Sequence, residues 1–512
     1  MRVMSRFAFS LFTLLSVAFA GERESLANGR FPRAQRLIES PTDANRLTIA
    51  ATYGLLTTSD RGKTWYHVCE TAFSFNDMYT GDPLLGLTND ESLLLSAEST
   101  ISVSHDRGCQ WTSTFGSAEQ SVIDFSQASS NRNDVVAVVA TYQNNTTVNR
   151  LQESTDGGAT WKAIGAALPV RQVYTVDLDP KDPTHIYATG LDASEMGVFL
   201  TSVDRGGNWT SKPIPNTNTD DVPYIAAVHP GDSKKIFVRT DAWTNRDVVD
   251  TGNDALLYTE DGGATWKEVL RHGAKLFGFA LSPDGKTVVA GYGDPGVAAQ
   301  AIDPTVTGVY RAPLAALSAQ DAPFERVYSG SVTCLTWTQN GVYMCTGGVD
   351  SQFDLALVTN DDFVSCVTPL LKLADVAGVP PNCAGRAVST CDWKVDCAAI
   401  GACDGGAPPE QPLMNASCSV PDAGAGLVDA PSGSAGSTTS SGAGGTTSSG
   451  QGGSALSTDD TRSGCGCRVT RAGGSASALL SLVVFGVATS WRLVFGRGRR
   501  RRVRSIWERP SL

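Results

Sequence analysis

One eight-residue pattern, Ser/Thr-x-Asp-x-Gly-x-x-Trp, occurs five times in this chain and constrains its fold more than any other feature. The copies occupy 58–65, 104–111, 154–161, 202–209 and 259–266. Their aspartates, Asp60, Asp106, Asp156, Asp204 and Asp261, stand 46, 50, 48 and 57 residues apart. That spacing suits a four-stranded antiparallel sheet repeated around a ring, the blade of a propeller. Each copy follows an alternating run such as Gly197-Val198-Phe199-Leu200-Thr201, so it reads as the turn between two antiparallel strands. The hydroxyl and the carboxylate can accept backbone N–H groups within the turn, and the Gly can take positive φ without a Cβ clash. The tryptophans Trp65, Trp111, Trp161, Trp209 and Trp266 are expected to pack inward, where truncating a buried one costs about 3–5 kcal/mol. The five boxes are therefore read as structural.

Between the boxes the pattern is a strand, a turn rich in Pro, Asp, Asn and Gly, a second strand and a third. The clearest copy is Val173 to Asp179, a turn at Pro180, His185 to Thr189, then Val198 to Ser202 and the box. Period-two alternation with turn signals about every ten residues predicts an all-β fold. Third strands near residues 55, 102, 150, 199, 256, 309 and 356 predict a single β-propeller of seven four-stranded blades over residues 30–375. A count of six or eight stays open, because a degenerate unit can hide in such a ring. The last two units lack a complete box.

These boxes resemble the Asp-box, or BNR, repeat of sialidase-like and sortilin-like β-propellers. The resemblance implies that the turns sit on the outer rim of the blades, away from the axial pocket, and are not catalytic. The arginine-containing motif that a sialidase carries before its first box is absent; Arg30-Phe31-Pro32-Arg33 stands there instead. A glycosidase needs two carboxylates at a fixed separation, and the inner-strand candidates are Asp124, Asp177 and Asp179. The plainer reading of Asp177-Leu178-Asp179-Pro180 is a strand end entering a turn. His67, His105, His185, His229 and His272 show no metal-ligand spacing, and GxSxG, HExxH and P-loop motifs are missing. No catalytic residue, metal or cofactor is assigned. The favoured function is binding of an extracellular protein or glycan by a monomeric propeller; the alternative is a glycoside hydrolase or lyase acting on extracellular polysaccharide.

Both ends of the chain point to export. Residues 1–20 read as a secretory signal, with Arg2 and Arg6 before an apolar stretch and Ala18-Phe19-Ala20 at the cleavage point. An oxidising destination favours disulfides for the cysteines. Cys334 and Cys345 fall on adjacent strands of one hairpin, and Cys69 and Cys109 near consecutive boxes, so each couple is a candidate bridge. Cys366, Cys383, Cys391, Cys397, Cys403 and Cys418 can form three more, mostly within a Cys-rich segment, 376–420. Residues 421–464 are Gly/Ser-rich and act as a disordered tether. Cys465-Gly466-Cys467, an apolar run from Ala472 to Trp491 and eight Arg between Arg492 and Arg509 complete the chain at 465–512. The run is long enough for one transmembrane helix with the Arg cluster on the cytoplasmic side. Together these parts resemble the myxobacterial C-terminal sorting signal, which implies processing and cell-surface retention at Cys465 or Cys467.

The formal charge of −11 hides an asymmetry. Residues 21–464 hold 29 Lys and Arg against 51 Asp and Glu, a net charge of about −22. Such a domain repels a phosphate backbone, which excludes nucleic acid as a partner. Membrane contact is expected through the C-terminal helix alone. Truncation at Gly464 is accordingly expected to release an intact propeller into the medium, measured by comparing culture supernatant with the membrane fraction.

Overall fold

The structure, a computed structural model, describes residues 34–383 except 52–53, 74–82, 98, 118, 144–145, 245–248, 251, 295–302, 319–323, 347–352, 360–362 and 364–365. The signal segment, Cys391, Cys397, Cys403, Cys418, the Gly/Ser tether, Cys465, Cys467 and the apolar run lie outside the described residues. Among the described residues there is no α-helix, and no helix long and apolar enough to cross a membrane.

The strands form a succession of antiparallel four-stranded meanders. Their innermost strands are Ala34–Glu39, Leu84–Leu87, Gln120–Ala128, Gln172–Leu178, Asp221–Val228, Lys275–Leu281 and Val332–Thr338, which open units 1 to 7. Units 4 and 5 are continuous through a single pair, Asn218 with Asp221. All seven expected third strands are present, from Gly54–Thr58 in unit 1 to Leu355–Val358 in unit 7.

A sheet of four short strands buries little within itself, so the apolar surface of each unit is covered by its neighbours. Leu94, Ile101 and Val103 of unit 2 meet Val122, Val135 and Val139 of unit 3, and Phe237 and Tyr258 of unit 5 meet Phe279 and Tyr292 of unit 6. Ile49, Leu56 and Trp65 of unit 1 meet Tyr343, Leu357 and Leu371 of unit 7, which closes the ring. The core is thus a series of seams between units. This is a β-propeller.

The chain does not end its contact with the ring at the last strand, Val367–Leu371. The following residues form a strap: Ala377 donates its N–H to Trp65 O at 2.8 Å, His67 N–H donates to Gly378 O at 2.7 Å, and Asn382 Nδ2 donates to Asp106 O at 3.0 Å. The strap finishes in a disulfide between Cys383 and Cys109 of unit 2. This corrects the expected Cys69–Cys109 bridge, because the strap delivers a sulfur to Cys109 from 274 residues away. It also takes Cys383 out of the expected local framework of the Cys-rich segment. Cys334–Cys345 forms across its hairpin as expected, and Cys69 and Cys366 are also disulfide-bonded.

The boxes share one geometry. The Ser or Thr hydroxyl donates to the Asp carboxylate two residues on at 2.7–3.0 Å, and accepts the N–H of the box Gly at 2.7–3.1 Å. The carboxylate then accepts the N–H of the residue before the Trp at 2.8–2.9 Å. The box Gly requires its positive φ and also a bare Cα: at Gly158 an added Cβ would lie 2.5 Å from Leu94 of unit 2, and at Gly263 it would lie 2.6 Å from Phe199 of unit 4.

The tryptophans differ from expectation. They turn sideways onto the preceding unit, Trp161 against Phe115 and Trp266 against Phe199, and only Trp65 is fully buried. Trp65 sits in the seam with unit 7 and donates Nε1–H to Leu370 O at 2.8 Å. Trp65→Ala should therefore cost about 3–5 kcal/mol. Trp209→Ala, at a half-exposed position, should cost distinctly less, as read from paired denaturant or thermal melts.

Candidate functional site

An innermost strand has a neighbour strand on one side only, so N–H groups on its axial edge need partners from elsewhere. Side chains of adjoining units supply them. Asp124 of unit 3 accepts the Val176 N–H of unit 4 at 3.0 Å, and Ser126 Oγ accepts the Leu178 N–H at 3.2 Å. Thr175 Oγ1 accepts the Ile225 N–H of unit 5 at 3.1 Å, and Asp254 of unit 5 accepts the Leu276 N–H of unit 6 at 2.9 Å. Gln127 takes the Leu87 N–H back in unit 2 at 3.1 Å, and Thr336 of unit 7 donates to Leu37 O of unit 1 at 3.2 Å.

Two of the three carboxylates singled out in the sequence meet in this setting. Asp124 and Asp177 are buried and interact electrostatically with one another and with Arg36 of unit 1. Burial and then the Asp177 charge push the Asp124 carboxyl well above its ordinary range, against the pull of the Val176 N–H and Arg36. Burial also lowers the Arg36 guanidinium, opposed by the two aspartates. Arg36 Nη1 is sealed from solvent with no hydrogen-bond partner among the described residues. Both Asp124 oxygens are committed: Oδ1 accepts the Phe125 N–H at 2.9 Å and Oδ2 the Val176 N–H. Asp177 accepts from Ser126 Oγ at 3.4 Å. Asp179 stands apart as a turn residue, its Oδ1 accepting the Lys181 N–H at 2.9 Å and its Oδ2 the Tyr187 hydroxyl at 3.0 Å.

A second buried group, absent from the sequence expectations, joins units 5 and 6. Lys275 Nζ contacts Asp241 and, at 3.2 Å, Asp254, and all three residues are at most 3% exposed. Burial raises Asp254 to about 7 while the Lys275 charge pulls it down. Asp254 also accepts the Ala242 N–H, so it works as a hub between strands. Nothing at 241, 254 and 275 marks these residues as neighbours in a linear reading.

The turns expected between first and second strands are present, and they share a hydrogen-bonding pattern that the sequence reading did not assign. Ser40, Asp179, His229 and Ser282 each precede a Pro and each accept the N–H groups of residues just ahead of them. His229 does so through Nδ1, which leaves the proton on Nε2 to donate to Gly285 O of unit 6 at 3.0 Å. The recurring x-Pro after an inner strand was the available signal. The boxes lie at this same end of the sheets, bonded to those turns, as in Gly262 N–H to Lys234 O at 3.0 Å. No box aspartate reaches the axial groups; all five serve their own turns.

With fold and site in view, the class is a β-propeller with a sortilin-like segment. The family model described as Sortilin, neurotensin receptor 3, matches residues 149–292, about a quarter of the chain. No curated protein matches the sequence. Similar solved structures include an ancestral GH74 enzyme, at 14% identity and TM-score 0.47, covering 65% of this chain and 46% of that one. Others are an oligogalacturonate lyase from Vibrio parahaemolyticus (11%, TM-score 0.41, 62% and 86%) and a GH74 xyloglucanase from Xanthomonas campestris (14%, TM-score 0.31, 65% and 63%). The chain thus spans just under half the length of the first of these.

The box carboxylate of unit 5 has an acid signature. Asp261 is held at about 2 by the Thr265 hydroxyl and N–H, below its ordinary 3.8. A depressed folded-state pKa gives stability that is present above pH 4 and lost as pH falls through 2. The melting-temperature gap between wild type and Asp261→Asn should therefore be full at pH 5 and shrink by pH 2.

Proposed function

We propose that the chain is an exported, surface-anchored propeller that binds a protein or glycan ligand and performs no catalysis. The observation that carries this reading is the commitment of Asp124. A general acid or nucleophile must offer an oxygen to substrate, whereas both Asp124 oxygens are held by backbone N–H groups of units 3 and 4. Asp254 is held in the same way between units 5 and 6. These carboxylates hold units together, and a ligand meets loops instead.

Cys383 sits beside the box of unit 2, so the described chain ends at the box end of the ring. The tether and apolar run read from the sequence then supply the anchor.

The second reading, a glycoside hydrolase or lyase, has one observation in its favour: Asp124 and Asp177 converge beside Arg36, and Asp124 has a raised pKa. The two readings separate experimentally. The full chain in detergent micelles should bind members of a glycan or surface-protein array without shortening any polysaccharide offered to it. Asp124→Asn replaces one acceptor oxygen by a donor opposite an N–H and should lower the melting temperature. Reducing ends or unsaturated products released by wild type and abolished in a folded Asp124→Asn variant would establish the enzyme.

A further inference from the structure

Three of the five boxes carry Arg directly after the Asp: Arg61, Arg107 and Arg205, all in the left-handed region with φ of 61°, 64° and 59°. Arg205, in unit 4, shows what this side chain does in a completed seam. It reaches back to unit 3, where Nε meets Glu153 Oε1 at 2.8 Å, Nη1 donates to Pro183 O of its own unit at 2.6 Å and Nη2 pairs with Asp134. Lys162 Nζ lies 2.9 Å from the other Glu153 oxygen, so two acids and two bases balance.

The strand registers locate the equivalent positions in the seam between units 1 and 2. Glu153 precedes the box Ser154, which pairs with Val135, and Asp134 precedes Val135. In unit 1, Thr57 precedes the box Thr58, which pairs with Leu47, and Arg46 precedes Leu47. Lys162 pairs with Glu153 as Tyr66 pairs with Thr57. Asp134, Glu153 and Lys162 are thus replaced by Arg46, Thr57 and Tyr66, and both acids that would face Arg107 are gone. Arg46 has found other acids, Asp43 at 3.0 Å and Glu91 at 2.5 Å. Among the described residues Arg107 has no ion pair, and it lines an open crevice with Arg46, Glu91, Thr57, Ser59, Tyr66 and Asn382, the Glu91 carboxylate being taken up by Ser40, Thr42 and Arg46.

We infer that this crevice is a binding site for an acidic saccharide, a uronate whose carboxylate takes the place that Asp134 and Glu153 hold opposite Arg205. This deepens the binding role proposed above and rests on it. An Arg beside a carboxylate favours a charge-assisted, two-pronged contact. The Tyr66 ring, half-buried, offers a flat apolar face, and the hydroxyls of Thr57, Ser59 and Tyr66 have no hydrogen-bond partner among the described residues. An apolar plate edged by uncommitted hydroxyls matches a sugar ring, which carries C–H groups on its faces and hydroxyls on its rim. A lone acidic side chain of a peptide would use the Arg and leave those hydroxyls unanswered. In a domain of about −22 charge, Arg107 is the crevice cation without an acid of its own, and it offers an anion a counter-charge there.

The test uses the full chain in detergent micelles and three probes: tetraglucuronate, an uncharged tetraglucoside and tetraglutamate. Calorimetry should detect tetraglucuronate with wild type, with at least tenfold weaker binding by Arg107→Ala. Thr57→Glu restores the missing acid, so it should pair with Arg107, weaken tetraglucuronate at least tenfold and leave the melting temperature unchanged or higher. Equal affinity for the uncharged tetraglucoside, equal competition by tetraglutamate, or unchanged tetraglucuronate binding in both variants overturns the inference. If glycans or proteins bind wild type and both variants alike, the binding role survives and the crevice is excluded. If tetraglucuronate is cleaved, the non-catalytic reading fails while the site, tested by the same variants, still stands or falls on its own.

Discussion

The ring depends on how the axial edges of its innermost strands are satisfied. Each such strand would present unpaired N–H groups to the centre, and an unpaired buried donor costs about 1–3 kcal/mol. Here Asp124, Ser126, Thr175 and Asp254 from one unit accept the N–H groups of the next, and Gln127 serves the unit before. Polar side chains at these positions therefore act as the lateral hydrogen bonds that the sheets lack. They also fix the register of one unit against another, which apolar seams alone leave loose. The cost is electrostatic: Asp124 and Asp254 are ionisable groups held in the dry interior, with Arg36 and Lys275 brought in beside them.

Much of the architecture was legible because each repeat states itself locally. The box turns, the alternation before them and the seven third strands all depend on neighbours within about ten residues, and Gly54–Thr58 through Leu355–Val358 fall where the spacing puts them. Contacts between units were not legible in the same way. Trp161 and Trp266 obey a local pattern, yet their direction depends on Phe115 and Phe199 of the unit before. The partner of Cys109 lies 274 residues away, and proximity in sequence favoured Cys69 instead. The x-Pro turns were visible but varied in their first residue, Ser, Asp or His, which hides a shared role as acceptor of turn N–H groups.

The site was half legible for a related reason. Inner-strand position marked Asp124 and Asp177, and the structure brings them together with Arg36. Their chemistry was set by what a sequence does not display, the backbone N–H of Val176 from another unit. Likewise Arg107 looks like Arg205 in its box, and only the strand registers reveal that its acids have been exchanged for Arg46 and Thr57.

The Cys109–Cys383 bond changes how the molecule responds to load. A chain end that simply left the last strand would transmit any pull to Val367–Leu371, an outer strand that can be unzipped one hydrogen bond at a time. Because the strap is bonded covalently to unit 2, a pull applied at Cys383 enters the ring at Cys109. The force is then shared across the seam between units 1 and 2, and the closing unit is shielded from peeling. The described chain is thereby gripped at a rivet, well away from the seam between units 7 and 1 where its ring closes.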